Sequence, residues 1–466
     1  MKRIIAAVLA AACMLSLTAC AAGKESEMDN EGAAPAVSGG SDGVRVLAQA
    51  KYPEAVKYPL QEDYLDADGN LKEDEFYKAL DAWSLKSSRR EALPDGTADR
   101  LAGYMDECVR QVMGGNAGEN SVCSPLNIYL ALAMLAETTD ANSRSQILKA
   151  LGEDNVENVR ACAKELWNAV YSDDGRLTSI PAASLWLNGE VNYVQPTVDE
   201  LADSYRASVF EGRMGSPELD SALQDWVNEQ TGGLLKEQAS GLKLDARTVL
   251  ALITTLYFRA GWTDEFSENL TYPQPFHAPN GDVSRDFMHS AGSDDYYWAD
   301  GFGAVTQWLN GGCRMWLLLP DEGVSPEKLI DDGSAMEFIM ANGRWDNVKR
   351  VVVKLALPKF DISSSIDLTE SLKRMGVTDV FDMEASNFTP LTTDSDQLYL
   401  SKAEHAARVS INEQGVEAAA FTEFMIAAGA VMPPNDEIDF VLDRPFIFAV
   451  SSADGLPLFV GIVNTP

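Results

Sequence analysis

The sequence predicts an α+β fold, and three patterns along the chain support this prediction. Residues Leu101 to Val112 have the spacing of an amphipathic helix. Residues Ala407 to Asn412 alternate small or apolar side chains with polar ones, which is the period of a half-buried strand. Near the C-terminus, apolar runs at 446–448 and 458–461 flank an Asp-Gly turn, which predicts a β-hairpin. With 466 residues, the chain is long enough to bury a large core.

The N-terminus has the pattern of a secretion signal. Lys2 and Arg3 precede an apolar run from Ile4 to Leu17. The residues around Cys20 resemble the bacterial lipobox, so we expect residues 1–19 to be removed and Cys20 to carry lipid. The alternative is a plain signal peptide with an incidental cysteine. A lipid would hold the secreted protein on the outer face of a bacterial membrane or envelope without spanning it.

Two further segments precede the main domain. Residues 20–50 are rich in Gly, Ala, Ser and acidic residues, which is the composition of a flexible tether. Residues 51–96 contain many aromatic residues and form an extension of unknown role that we expect to pack on another part of the protein. Within it, Asp66 to Asn70 is similar to part of a calcium loop, but its Gly is fourth rather than sixth, which favours a simple turn.

Composition excludes some classes of function. The formal net charge is -34, so no basic face is expected for nucleic acid, and a basic partner is favoured. Beyond the signal and the lipid cysteine, four cysteines remain without any C-x-x-C pair, and we expect buried free thiols rather than disulfides. These are Cys108, Cys123, Cys162 and Cys313. No cofactor site or metal site is expected.

Several motifs recur in one known family. They are Ser124-Pro125 before an apolar run, Asp225 to Gly233, Ile253 to Trp262, Leu357 to Phe360, and Glu413-Gln414-Gly415-Val416-Glu417-Ala418-Ala419-Ala420. Together they resemble the serpins, the serine protease inhibitors, over residues 97–466. The resemblance implies a serpin fold, with about nine helices around three β-sheets and an exposed reactive-centre loop.

The segment after Gly415 has two interpretations. Propensity alone favours a surface helix from Glu417 to Met425, because Ala and Glu are good helix formers. Continuing the preceding strand instead places small, uncharged side chains on one face and polar or bulky ones on the other. Such a segment can slide between existing strands.

The resemblance also implies roles for individual residues. The hinge of the loop is expected at Glu413, Gly415, Val416, Ala418, Ala420 and Thr422. The bond that a protease attacks is expected within Ala427, Ala428, Gly429, Ala430 and Val431. The region where the main sheet parts is expected at Ser124, Asn127, Thr254, Trp262 and His405. Asn127 stands where the family usually has Ser, and Thr254 where it usually has Asn. His405 on its own also fits an ordinary core histidine.

Catalysis is not expected, since the chain has three histidines and lacks the common catalytic motifs. The resemblance implies a monomeric suicide inhibitor, which traps the acyl-enzyme of a serine protease by inserting its cleaved loop into the main sheet. No Lys or Arg occurs between Glu413 and Asp443, so elastase-like or subtilisin-like targets are favoured over trypsin-like ones. The alternatives are a non-inhibitory serpin or a ligand-binding surface lipoprotein.

Overall fold

The protein is described by a computed structural model over residues 32–33, 43–66, 69–87, 92–114, 118–394, 398–416 and 436–466. The α+β class is confirmed: these residues form eleven α-helices and three sheets of nine, eight and two strands. The helices are α1 (Glu73–Ser87), α2 (Thr97–Met113), α3 (Pro125–Thr138), α4 (Ala141–Leu151), α5 (Val156–Val170), α6 (Gln195–Tyr205), α7 (Pro217–Gln230), α8 (Lys236–Ser240), α9 (Pro326–Asp331), α10 (Ser334–Ala341) and α11 (Thr369–Arg374).

Nineteen strands complete the described chain. They are β1 (Gly32–Ala33), β2 (Val44–Ala48), β3 (Lys51–Tyr52), β4 (Ser121–Cys123), β5 (Ser172–Asp173), β6 (Leu177–Asn188), β7 (Ala207–Gly212), β8 (Leu250–Gly261), β9 (Thr271–Ala278), β10 (Gly281–Ala299), β11 (Phe302–Trp308), β12 (Arg314–Pro320), β13 (Val348–Pro358), β14 (Asp361–Asp367), β15 (Leu400–Asn412), β16 (Gly415–Val416), β17 (Glu437–Val441), β18 (Phe446–Ser451) and β19 (Pro457–Val463).

The eight-stranded sheet, called the central sheet below, has the order β14-β15-β16-β8-β6-β7-β2, with β5 beside β6. Strand β15 runs parallel to β8, whereas β6 and β16 run antiparallel to it. The nine-stranded sheet has the order β17-β13-β10-β11-β12-β18-β19-β4, with β9 beside β10. It contains the predicted C-terminal hairpin as β18 and β19.

The central sheet is covered on both faces. Helix α3 lies under one face and is buried along nearly its whole length, which agrees with its almost continuous apolar sequence. Ser124 caps this helix by accepting a hydrogen bond from the Asn127 backbone N–H, and Pro125 occupies its first turn. Helix α7 covers the opposite face, where Leu223 and Trp226 join a second apolar cluster. On the α3 face, the side chains of β8 meet a packed layer along the strand, whereas on the α7 face Tyr257 and Arg259 stay partly exposed.

The N-terminal extension packs on the edge of the central sheet. Strand β2, which the sequence analysis places within the tether, pairs antiparallel with β7 and is the last strand of that sheet. Tyr52 follows it and is buried against the rings of Trp167 and Tyr171. Its hydroxyl donates to the Gln230 side chain of α7 at 3.2 Å. Strand β2 and Tyr52 are therefore part of the packed molecule.

Four cysteines lie in the described residues, and all are buried thiols outside any disulfide: Cys108, Cys123, Cys162 and Cys313. The prediction of buried free thiols is confirmed. Within the described ranges, no helix combines the length and apolarity needed to span a membrane. The same ranges contain no group of three or more His, Cys, Asp or Glu residues placed to bind a metal ion.

Candidate functional site

The two middle strands of the central sheet part along their length. Strands β8 and β15 are paired from Leu250 and Leu400 as far as Thr255 and Ala406. Five residues further on, β16 lies between them, because Val416 pairs with both Ala260 and Ile411. Adjacent strands are about 4.8 Å apart, so β8 and β15 diverge from one strand spacing to two, or roughly 9.6 Å. We call this wedge, which closes at Thr255 and Ala406, the opening; the Ala260 end of β8 is called the hinge end, and the Leu250 end of β8 the far end.

The walls of the opening are apolar on the side that faces α3. Leu256 and Phe258 of β8, and Ala407 and Val409 of β15, are all less than 5% exposed. All four belong to the main core cluster. Val416 belongs to the same cluster and is 1% exposed, so its side chain points into this core.

A tight turn brings the chain from β15 back into the opening. The side-chain carbonyl of Asn412 accepts hydrogen bonds from the backbone N–H groups of Gln414 and Gly415 at 2.9 and 3.1 Å. This side chain replaces backbone partners in the turn, a common use of Asn. The turn reverses the chain within two residues, so β16 begins antiparallel to β15.

The segment after β8 donates hydrogen bonds to the carbonyl groups of this turn. The Trp262 indole N–H donates to the Asn412 carbonyl at 2.8 Å, and the Trp262 backbone N–H donates to Gln414 at 2.8 Å. The Phe266 backbone N–H donates to the Glu413 carbonyl at 2.9 Å. Three consecutive carbonyl groups are thus fixed, and Trp262 is itself buried. These three hydrogen bonds hold the turn between β15 and β16 against the segment that follows β8.

Glu413 is a buried acid with one cationic partner. Lys359, next to β14, places its ammonium 2.9 and 3.2 Å from the two carboxylate oxygens. Burial alone raises the pKa of the Glu413 carboxyl, but the hydrogen bonds and charge of Lys359 contribute to a net lowering below its usual value. Glu413 is therefore ionised at neutral pH, and it fixes the turn to the strand next to β15.

Gly415 occupies a position that no other residue fits. Its φ is +155°, which L-residues rarely adopt. A Cβ atom built there would lie 2.3 Å from the Ala260 carbonyl oxygen and 2.6 Å from the Gly261 Cα. The close approach of β16 to β8 therefore requires glycine.

A buried polar cluster closes the opening where β8 and β15 rejoin. The Ser124 backbone N–H donates to Nε2 of His405 at 2.9 Å, so Nδ1 carries the proton of the neutral ring. That Nδ1–H donates to the Thr254 hydroxyl at 3.2 Å. Burial lowers the pKa of His405 to about 4, so the ring is neutral at physiological pH. The cluster joins α3, β8 and β15 at one point.

Asn127 lies one helical turn after Ser124 and is completely buried. Its backbone N–H is bonded to the Ser124 hydroxyl at 3.2 Å. Neither the oxygen nor the nitrogen of its side-chain amide has a hydrogen-bond partner among the described residues. Most buried amides in folded proteins are paired, so this one calls for a physical explanation.

The structure brings the predicted residues together in two groups. Glu413, Gly415 and Val416 lie at the hinge end with Trp262. Ser124, Thr254 and His405 meet where the opening closes, and Asn127 follows on the same helix. The remaining predicted positions lie outside the described residues: Cys20, Ala418, Ala420, Thr422, Ala427, Ala428, Gly429, Ala430 and Val431.

Sequence reasoning did not assign roles to Lys359, Phe266 and Asn412. Lys359 could have been found, because it is a single cation directly after the largely apolar end of β13. The other two act through a backbone N–H and a turn, and a sequence carries little signal for either. The Thr254 hydroxyl accepts a hydrogen bond from Nδ1–H of His405, so this ring is not placed to take a proton from it. Among the described residues, only β16 lies between the diverging strands β8 and β15, at the hinge end.

Comparison with known proteins agrees with this geometry. A family model described as "Serpin (serine protease inhibitor)" matches residues 106–466. Leukocyte elastase inhibitor from Sus scrofa is 29% identical over 379 residues, which cover 77% of this chain and 96% of that protein.

Two solved structures are also similar. Native tengpin, a thermophilic serpin, has a TM-score of 0.71 and 25% identity, and the match covers 82% of this chain and 98% of tengpin. Human thyroxine-binding globulin, complexed with thyroxine, has a TM-score of 0.69 and 22% identity, and the match covers 79% of this chain and 98% of that globulin. At that identity, the second likeness concerns the fold alone.

Proposed function

Because this chain belongs to the serpin family, we propose that it inhibits serine proteases by trapping the acyl-enzyme. In this proposal, a target protease attacks a peptide bond in the segment after Val416, and the cleaved segment then enters the central sheet. The observation that carries the proposal is the opening between β8 and β15, with β16 already paired at its hinge end. The chain itself is an inhibitor and not an enzyme.

The register of β16 determines which residues would enter. If the strand continues beyond Val416 with the same pairing, Ala418 would lie between Phe258 and Val409. Ala420 would lie between Leu256 and Ala407. Both alanines would point into the core that already contains Val416, because side chains alternate along a strand. Small side chains at these two positions suit a layer that is already packed.

Insertion would complete backbone hydrogen bonding along both walls of the opening. A new strand would pair with β8 on one side and β15 on the other, and it would bury further apolar surface. The stretch from Ala260 to Leu250 contains eleven residues, and its ten steps span about 33 Å at the usual rise of a strand. The C-terminal end of the inserted strand would therefore lie at the far end, while its start stays at the hinge end.

The trapped species is an ester. The protease serine hydroxyl adds to the carbonyl of the scissile bond, the amine on the C-terminal side leaves with a proton, and an acyl-enzyme remains. Insertion would then move the ester and the attached protease to the far end. Inhibition requires that this movement distort the protease before water hydrolyses the ester.

We propose elastase-like or subtilisin-like proteases as targets, with cleavage between Ala427 and Val431. Small apolar residues occupy this window, and no Lys or Arg lies between Glu413 and Asp443. A protease with an acidic specificity pocket would find no matching side chain there. The similarity to leukocyte elastase inhibitor supports the same class of target.

We further propose that the protein is secreted and held by lipid on Cys20 at the outer face of a bacterial membrane or envelope, as a monomer. The support is the signal pattern of residues 1–19 and the lipobox-like sequence around Cys20. A Cys20→Ser variant should then move from the detergent-rich to the aqueous phase on detergent partitioning. Equal partitioning of both proteins would contradict the anchor.

The alternative of a non-inhibitory serpin or a ligand-binding lipoprotein has less support. The likeness to thyroxine-binding globulin concerns the fold, and nothing in the site selects a ligand. A hinge of small residues favours insertion, which a purely ligand-binding protein would not need.

The decisive experiment is incubation of the purified protein with pancreatic elastase. We expect a covalent complex that survives SDS and has the summed mass of inhibitor and protease. Elastase with a chemically blocked active-site serine is the matched control and should form none. Cleavage of the protein without any SDS-resistant complex, across elastase and subtilisin, would contradict the inhibitory mechanism.

A further inference from the structure

The N-terminal extension lies outside the residues that the family model matches, and part of it is fastened along the edge of the central sheet. Residues 52–58, called the strap below, run from β3 to the turn between β5 and β6 at the hinge end. The Tyr58 backbone N–H donates to the Asp174 carbonyl at 2.7 Å, and Lys57 pairs with Asp173 at 2.8 Å. The strap is therefore bound to the sheet at its end.

An inserted strand would divide the packed molecule into two bodies. Strands β14 and β15 contact β4 of the nine-stranded sheet, and α3 contacts both β19 of that sheet and α5. We call these elements the β15 body. Strands β8, β6, β7 and β2 lie on the other side of the opening together with α7, and we call them the β8 body. A new strand between β8 and β15 would shift the two bodies relative to each other by about 4.8 Å.

Tyr52 connects these two bodies. Its ring packs against the rings of Trp167 and Tyr171 in and after α5, with centroids 5.4 and 5.8 Å away. Its hydroxyl donates to the side chain of Gln230, the last residue of α7, at 3.2 Å. Because Tyr52 is 7% exposed, water does not compete strongly for this bond. A shift of one strand spacing would break it.

Arg176 makes a second connection at the hinge end. Its guanidinium lies 4.5 Å from the centroid of the Tyr58 ring, and Nη2 donates to the side-chain oxygen of Asn310 at 2.9 Å. Arg176 directly precedes β6 in the β8 body, whereas Asn310 lies between β11 and β12 of the nine-stranded sheet. The ring of the strap thus helps to hold a guanidinium that joins the two bodies.

We propose that the strap restrains loop insertion, because the hydrogen bonds of Tyr52 and Arg176 must be released before a strand can enter between β8 and β15. These bonds stabilise the intact arrangement and are absent once the bodies have moved, so they slow insertion. The strap thereby sets how often the acyl-enzyme is trapped and how often it is hydrolysed. Both residues act through the position of the strands and are positioning residues. This inference rests on the proposed inhibitory function.

The test measures the ratio of SDS-resistant complex to cleaved inhibitor after reaction with pancreatic elastase in the presence of hydroxylamine. Hydroxylamine attacks the ester of an acyl-enzyme that is not yet distorted, releases the protease and leaves a hydroxamate on the cleaved inhibitor. The ratio therefore compares the rate of insertion with a fixed rate of ester cleavage. Tyr52→Phe removes the hydroxyl and keeps the ring. We expect it to raise the ratio about 2–10-fold, which is the effect of one buried hydrogen bond.

Three further variants identify the cause. Gln230→Met removes the acceptor of the same bond, so it should raise the ratio similarly, and its effect should not add to that of Tyr52→Phe. Arg176→Met removes the second connection and should raise the ratio independently. Tyr77→Phe is the matched control, since Tyr77 lies on α1 of the same extension and is 52% exposed. It should leave the ratio unchanged.

A purely structural role of the strap predicts a different result. The Tyr52 hydroxyl would then stabilise intact and cleaved protein alike, so Tyr52→Phe would lower both melting temperatures and leave the ratio unchanged. That result would overturn the inference. Under the proposal, only the intact form should melt at a lower temperature. If the wild-type protein forms no complex even without hydroxylamine, the inhibitory function itself fails.

Discussion

Gly415 has a φ of +155° and lies against the backbone of β8, and both properties exclude a side chain. We predict that Gly415→Ala destabilises the intact protein by about 1–3 kcal/mol through backbone strain. Because the proposed insertion would start at this residue, the variant should also form less SDS-resistant complex and more cleaved product. Denaturant unfolding and gel analysis of an elastase reaction measure the two effects.

Gly292 is the matched control for this change. It lies in β10, its φ is outside the positive range, and a Cβ atom there would meet nothing within 4 Å. Gly292→Ala should leave both complex formation and stability close to wild type. If Gly415→Ala behaves like Gly292→Ala, the hinge does not need glycine.

His405 predicts a specific pH dependence of stability. Its pKa is about 4 in the folded protein and about 6.5 when unfolded, so between these values the unfolded chain binds more protons. The free energy of unfolding should therefore fall as the pH falls, by about 2 kcal/mol between pH 7 and pH 5. His405→Gln, which can still accept from Ser124, should remove most of this decrease. Urea unfolding at a series of pH values measures it.

His277 is a control, because its contribution to stability should change with pH in the opposite direction to that of His405. Its hydrogen bond to Asp282 raises its pKa, so its contribution to stability is present below pH 6.5 and is lost as the pH rises. His277→Gln should leave the decrease of stability toward pH 5 in place or make it steeper. A decrease that persists in His405→Gln would show that another group titrates in this range.

At the scale of elements, β16 would be the first two residues of the inserted strand in the proposed mechanism. We predict that Ala418→Arg converts the protein from inhibitor to substrate, because insertion would bury an unpaired guanidinium between Phe258 and Val409. Elastase should cleave the variant at the same bond without forming an SDS-resistant complex. A stable covalent complex with this variant would refute the register.

Glu417, the residue before Ala418, tests whether successive side chains of the inserted strand would point to opposite faces of the sheet. Glu417 would lie between Arg259 and Ser410, which are both partly exposed in the intact protein. Glu417→Arg should therefore still form the complex. Equal loss of inhibition in both arginine variants would show that added charge, rather than burial, is responsible.

Helices and strands could be predicted from the sequence where their apolar residues recur at a regular spacing. Helix α2, strand β15 and the β18–β19 hairpin lie where the spacing of apolar residues predicts them. Strand β2 could not be recognised in this way, because its five residues pair with an edge that the sequence does not reveal. In the site, glycine and the acid of the hinge carried a clear signal. Lys359 stands out as a single cation after β13, but its role could not be assigned from the sequence, because that role depends on β14 lying beside β15.

For the whole molecule, the proposed function requires that the intact fold be less stable than the cleaved one. Cleavage within the segment that follows Val416 should raise the melting temperature, because an inserted strand adds backbone pairing and buried area along the opening. Calorimetry of intact and cleaved protein is the measurement. Similar melting temperatures for the two forms would mean that no free energy is stored in the intact fold.

The buried thiols have a consequence for where such a molecule can work. Burial raises the pKa of Cys108 to about 12, and the thiols of Cys123, Cys162 and Cys313 are equally hidden from solvent. None of the four forms a disulfide, so under the proposed function no covalent link between elements would have to form before the sheet expands, or break while it does so. Potency should consequently be the same with or without a reducing agent, which would suit the protein equally to anoxic and to oxygenated surroundings.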